Sequence, residues 1–121
     1  MNRIWWAVAA VFLLAFAVFE VVEHGGWTAG ALLLGLAGPD LTFLAGIGAP
    51  AVERGVLPRR AVPFYNAAHH WAGPAVLLLV FTIVTSPAAF TLGLAWLAHI
   101  AVDRVFGFGM RTADGRPRTA A

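Results

Sequence analysis

The sequence has no cysteine. Disulfides, thiolate metal sites, iron–sulfur clusters and a cysteine nucleophile are therefore excluded, and the redox compartment leaves no trace. Lysine is absent too, so all eight basic residues are arginine. Charge of either sign is scarce: 12% of the 121 residues, against about twice that share in a soluble domain. The arginines sit near the ends of apolar runs. They are not interleaved with exposed aromatics on a polar face, so a sequence pI of about 10.5 does not imply nucleic-acid binding. The only serine, Ser86, lies between two apolar runs and suggests no nucleophile.

What the chain holds in place of charge is apolar surface, at 60% of residues and a mean hydropathy of +0.80. One compact unit is the expectation at this length, with no internal repeat or second domain. Ile4 to Val22 carries one charge, Glu20, and a helix crosses the ~30 Å hydrocarbon core in about 20 residues. Arg3 and Trp5-Trp6 suit a cytoplasmic anchor and an interfacial belt. Ala15-Phe16-Ala17 also resembles a signal-peptide cleavage site, but the apolar run continues past it. Gly25-Gly26 is a turn signal. The second run, from Trp27, is interrupted at Gly38-Pro39-Asp40, because Pro39 removes a donor and disfavours helix before it. Gly46, Gly48 and Pro50 end it, and a charged loop with Glu53, Arg54, Arg59 and Arg60 follows. Pro63 opens a third run that Pro74 should kink. Ser86-Pro87 reads as an N-cap and first-turn proline for the fourth.

The expectation is an all-α integral membrane four-helix bundle with a broken second helix. Its spans fall near 4–24, 27–48, 63–85 and 87–106. Residues 1–110 form the single transmembrane domain, and 111–121 a short, mobile polar tail. Every arginine lies at the N-terminus, in the middle loop or toward the C-terminus, and the other two turns have none. The positive-inside rule then puts both termini and the middle loop of this multi-pass membrane protein in the cytoplasm.

Depth decides which polar residues can meet. His99 lies about seven residues before the end of the fourth run, ~10 Å inside the membrane at 1.5 Å per residue. His69 and Asp40 lie at similar depth on the third and second runs. Asp103 follows His99 by four residues and shares its helical face. Asn66 lies one turn from His69, and Arg104 closes the fourth run. Ionisable groups inside a membrane are functional hypotheses by default. Asp40 could instead cap the helix that restarts after Pro39, Asp103-Arg104 could be an interfacial ion pair, and His70 could simply pack. Tyr65, Trp71 and Trp96 read as belt or packing residues. Glu20, Glu23 and His24 have helical ligand spacing, as in a di-iron bundle, but sit at the opposite end, where a solvated helix terminus is the simpler reading.

Three stretches carry a resemblance: Pro39-Asp40-Leu41, Tyr65-Asn66-Ala67-Ala68-His69, and Trp96-Leu97-Ala98-His99-Ile100 with Asp103-Arg104 and Gly107-Phe108-Gly109. Together they resemble a bacterial family of small membrane proteins, the domain-of-unknown-function family numbered 4260, over roughly residues 27 to 111. The resemblance points to Asp40, Tyr65, Asn66, His69, His99, Asp103, Arg104 and the two glycines. It supplies no reaction. The family usually carries a Glu early in its first helix, whereas residues 4–19 here hold no charge.

Two classes of function fit. Asp40, His69, His99 and Asp103 offer two imidazoles and two carboxylates as metal ligands and catalytic groups. That set suits Zn, Mn or Fe activating water in a membrane-embedded hydrolase on a lipid- or isoprenoid-like substrate. Asn66 and Arg104 would hold a cofactor or an anionic head group. A likeness to intramembrane metal-dependent hydrolases is analogy alone. The alternative is a non-enzymatic protein: haem bound between His69 and His99, a proton-handling device, or a polar cluster holding helices together. Gly30, Gly35 and Gly38 offer small-residue packing for a homo-oligomer.

Overall fold

A computed structural model describes residues 2–47 and 56–119, the side chains of 117–119 excepted. Gly48, Pro50, Glu53 and Arg54 of the middle loop lie outside the described residues.

Helix α1 runs Arg3–His24; Asn2 caps it, its side chain accepting from the Trp5 amide at 3.2 Å. Gly25 and Gly26 turn the chain at φ of +59° and +53°, a region that costs only glycine nothing. Helix α2 (Trp27–Ala37) then passes directly into a 3₁₀ helix, Gly38–Gly46. Arg60 closes that helix: its Nε donates to the Ala45 carbonyl at 2.9 Å, and its Nη2 to that of Ile47.

The third apolar run differs from expectation. A continuous helix kinked at Pro74 was predicted over 63–85. The chain instead forms two short helices, α3 (Val62–His69) and α4 (Ala72–Ile83), with His70 extended between them. Proline acts four residues upstream: its ring collides with the carbonyl of residue i−4, here His70, and offers it no N–H. Pro74 itself sits in the first turn of α4, where a missing donor costs little. Helix α5 (Pro87–Val105) is uninterrupted, capped by Ser86, whose hydroxyl accepts from the Ala89 amide at 3.4 Å.

Among the described residues, three segments are long and apolar enough to cross a bilayer: Arg3–His24, Trp27–Gly46 and Pro87–Val105. Neither α3 nor α4 alone has that length. Helix α5 is the hub, packed by α1, α2 and α4. The α1–α5 seam is thin and built of small residues: Ala10, Leu13 and Ala17 against Leu94, Ala98 and Ala101. Small residues let helix backbones approach where no hydrophobic effect separates helix from lipid. Large side chains such as Val11, Phe12, Leu33, Leu79 and Ile83 point outward.

Beyond α5, in the stretch read as a tail, strands β1 (Phe108–Arg111) and β2 (Pro117–Thr119) pair antiparallel. Gly115 turns the hairpin at φ +90°, and its carbonyl accepts from the Leu57 amide at 2.9 Å. A Cβ at Gly115 would fall 1.8 Å from the Leu57 carbonyl oxygen, so the hairpin seats only as glycine.

Candidate metal centre

Four polar side chains meet where α2, α3 and α5 converge. Asp40 is delivered by the 3₁₀ helix, directly after Pro39. His69 is the last residue of α3, and His99 and Asp103 are one turn apart on α5. His99 Nε2 stands 3.2 Å from His69 Nε2. Asp40 Oδ1 lies 3.4 Å from the His69 nitrogen and 3.3 Å from that of His99. Asp103 Oδ2 repeats those distances, at 3.4 and 3.3 Å. One ligand atom from each residue lies within 4.8 Å of every other. Both histidines are buried, Asp103 is partly open and the Asp40 side chain is 54% exposed.

The other nitrogen of each ring fixes what these atoms are. His69 Nδ1 lies 2.8 Å from the Tyr65 carbonyl oxygen, and His99 Nδ1 2.7 Å from that of Leu36. A carbonyl oxygen only accepts, so each Nδ1 carries the hydrogen and each neutral ring presents a bare lone pair at Nε2. Two lone pairs and two carboxylates then face one another, an arrangement that repels unless a cation stands among them. The point equidistant from four such atoms lies about 2.0 Å from each if the two oxygens are as close as the other pairs, and about 2.4 Å if they stand 4.8 Å apart. Bonds from first-row metals to imidazole and carboxylate run ~2.0–2.2 Å. Calcium and magnesium favour all-oxygen shells, so two imidazoles select a transition metal. A Nδ1–H bonded to a backbone carbonyl is the usual second support of a metal-ligating histidine. Haem fits poorly. Two imidazoles across an iron need about 4 Å between nitrogens, twice a metal–nitrogen bond, and a slot for the ring that the two carboxylates here fill.

The surroundings hold the ligands still. The Tyr65 ring stacks on His69 at 3.9 Å and 14°, and the Arg111 guanidinium lies 5.1 Å over Tyr65. Asn66 does not turn to the cluster. Its Oδ1 accepts from the Arg111 amide at 2.6 Å and its Nδ2 donates to the Arg111 carbonyl at 2.9 Å, so it ties the hairpin to α3. Arg104 reaches the His69 carbonyl at 3.5 Å and lies 5.5 Å over the Trp6 ring. His70 Nδ1 accepts from the Ala72 amide at 3.1 Å and so caps α4. Trp96 Nε1 donates to the Ala68 carbonyl at 2.6 Å. Glu20 and His24 pair with each other at 3.1 Å at the far end of α1. Leu36 and Arg111 escaped the sequence reading. A backbone carbonyl carries no residue signature, but Asp114-Gly115 is a turn dipeptide that could have announced the hairpin.

Fold and site together define a small helical protein with candidate membrane-spanning helices and a His/Asp cluster able to hold a metal ion. The chain belongs to the domain-of-unknown-function family DUF4260, whose model matches residues 4–120. Comparison with curated proteins and with solved structures finds no match.

Proposed function

We propose that Asp40, His69, His99 and Asp103 hold one divalent transition metal, and that the protein is a membrane-embedded, metal-assisted hydrolase acting on a lipid-like substrate. One observation carries the reading: two imidazole nitrogens 3.2 Å apart, each 3.3–3.4 Å from both carboxylates, with both imidazole tautomers set by backbone carbonyls. A bound Zn, Mn or Fe ion would make water a nucleophile near neutral pH. The chain's own part is to orient and admit. The Tyr65 and Leu36 carbonyls aim the two Nε2 atoms. Exposed Asp40 marks the flank from which water and substrate arrive, and Arg104, next to Asp103 in the chain, offers a cation for an anionic head group. Arg3, Arg104, Arg111 and Arg116 all belong to the end of the protein that holds the cluster. That bias supports termini and site on the cytoplasmic side of a bacterial inner membrane.

Elemental analysis of detergent-purified protein should find about one transition metal per chain, without haem absorbance near 400 nm. His99→Gln keeps the side-chain volume and a hydrogen-bonding amide but removes the imidazole. It should abolish bound metal while leaving the helical circular dichroism unchanged. A Gln variant with full metal content, or a wild type that never holds metal, overturns the reading and leaves the cluster as a packing or proton-handling device.

A further inference from the structure

Beside the cluster runs an apolar groove of about 240 Å³ between α2, α3 and α5. Leu34, Gly38, Pro39, Ala68, Leu92 and Trp96 line it. Three of these adjoin the proposed ligands in the chain: Pro39 precedes Asp40, Ala68 precedes His69, and Trp96 lies one turn before His99. No side chain of the cluster lines the groove; its lining stops one residue short of Asp40 and His69 and one turn short of His99 along the chain.

Its direction matters. Leu92, Trp96, His99 and Asp103 follow one another along α5, so Leu92 lies ~10 Å deeper in the span than His99 at 1.5 Å per residue. One end of the groove is wholly apolar and toward the middle of the span. The other end, equally apolar, lies toward the arginine-bearing terminus, with the polar cluster next to it in the chain. An amphiphile with its chain in the groove and its head group beyond that end, at the polar cluster, has the orientation of a lipid in the leaflet nearer the cluster. Leu34, which lines the groove, is itself 53% exposed, so the outward apolar surface of α2 continues into it. We propose that the groove seats one acyl chain of such a lipid and presents the bond next to its head group to the metal centre. The substrate class is thus an acyl-chain lipid entering sideways from the bilayer. This proposal rests on the metal-centre reading for its chemistry, but not for the occupancy of the groove. The volume accommodates roughly eight groups of water size at ~30 Å³ each, a chain segment rather than a whole lipid.

Gly38 gives the means of testing it. A Cβ there meets nothing nearer than the Leu34 side chain at 3.5 Å, and its backbone is already helical, so a larger residue fits the fold and fills the groove. Full-length protein is placed in phosphatidylethanolamine–phosphatidylglycerol vesicles doped with a phosphatidylcholine that carries a diazirine midway along one acyl chain. After irradiation, adducts are mapped by peptide mass spectrometry, and metal content is read on the same samples. Wild type should carry adducts on Leu92 and Trp96. Gly38→Leu should carry about tenfold fewer there, with labelling of the outer face of α1 at Val8 and Val11, and bound metal, both unchanged. If Gly38→Leu does not insert, Ala68→Leu fills the same groove from α3. Leu92 and Trp96 labelled no more than buried Ala98 and Ile100, or labelled equally in both proteins, overturns the proposal. Groove adducts on a protein that never binds metal would sink the hydrolase reading and leave the acyl-chain site standing.

Discussion

Gly35 lies where α2 crosses α5 most closely. A methyl group there would stand 2.5 Å from Ala95 Cβ, 2.8 Å from the Leu92 carbonyl oxygen and 2.9 Å from the Trp96 nitrogen. Carbon atoms rest ~3.5–4.0 Å apart, so the two helices must part by about 1 Å to admit it. Alanine for glycine inside a helix ordinarily stabilises by ~0.5–1 kcal/mol. Overpacking a close contact costs ~1–3 kcal/mol. The second effect wins, because backbone atoms and a Cβ cannot rotate aside. Gly35→Ala should therefore lose about 1–2 kcal/mol, a factor of roughly 5–30 in the folded-to-unfolded ratio. The shift also pulls on Leu36, whose carbonyl lies 2.7 Å from His99 Nδ1, so metal affinity should fall with stability. Gly30 on the same helix is the control, since a Cβ there meets nothing within 4 Å. Gly30→Ala should be neutral or stabilising. Unfolding by denaturing detergent in mixed micelles, followed by circular dichroism, ranks the two. A Gly35→Ala protein as stable as Gly30→Ala would refute the close crossing.

Asn66→Ala removes both bonds to the Arg111 backbone and should undock the hairpin at a cost of ~1–3 kcal/mol; hydrogen exchange at the Arg111 amide should quicken while that of α5 does not change. The hairpin turn also has a pH signature. The Thr112 hydroxyl, then Arg116, hold the Asp114 carboxyl below the ordinary carboxylate range. A folded value below the unfolded one stabilises at higher pH and is lost as pH falls through the folded value. Protection of the Thr112 amide, bonded to the Arg116 carbonyl at 2.8 Å, should be flat from neutrality to about pH 4 and then decline. Thr112→Val should flatten that decline.

Much of this was legible from residue types because the bilayer imposes strong rules. Run lengths place three candidate spans, Arg3–His24, Trp27–Gly46 and Pro87–Val105, and His99 with Asp103 declares one helical face. Matched depth of Asp40, His69 and His99 anticipates three helices meeting. What was not legible has physical reasons. Pro74 was read as a kink at its own position, although its steric effect falls four residues earlier, at His70. Asn66 shares a side of α3 with His69, so spacing alone cannot tell that its amide turns to the hairpin. Gly35 reads as a surface for a second copy, yet α5 of the same chain occupies it. Such choices depend on partners 45 to 63 residues away, as in the Asn66–Arg111 and Leu36–His99 bonds, which no local pattern encodes.

The two helix interruptions and the polar cluster are one construction. Pro39 has no N–H, so in 3₁₀ register, where residue i donates to i−3, the Leu36 carbonyl has no backbone donor. A bare carbonyl inside a membrane costs several kcal/mol unless something satisfies it. His99 Nδ1 does so at 2.7 Å, and thereby fixes its own tautomer. At the second interruption, the Ala72 amide turns to His70 Nδ1 and releases the Ala68 carbonyl, which Trp96 takes at 2.6 Å. The His69 carbonyl next to it faces Arg104. All three partners lie on α5, the one helix near the cluster with no break. The two interruptions thus free backbone acceptors that polar residues of α5 satisfy. Satisfying them brings Trp96, His99 and Arg104 to the ends of the broken helices, where Asp40 and His69 already stand. The cluster is then where broken backbone and unbroken helix meet, and removal of the Pro39 interruption would remove the reason for His99 to face inward.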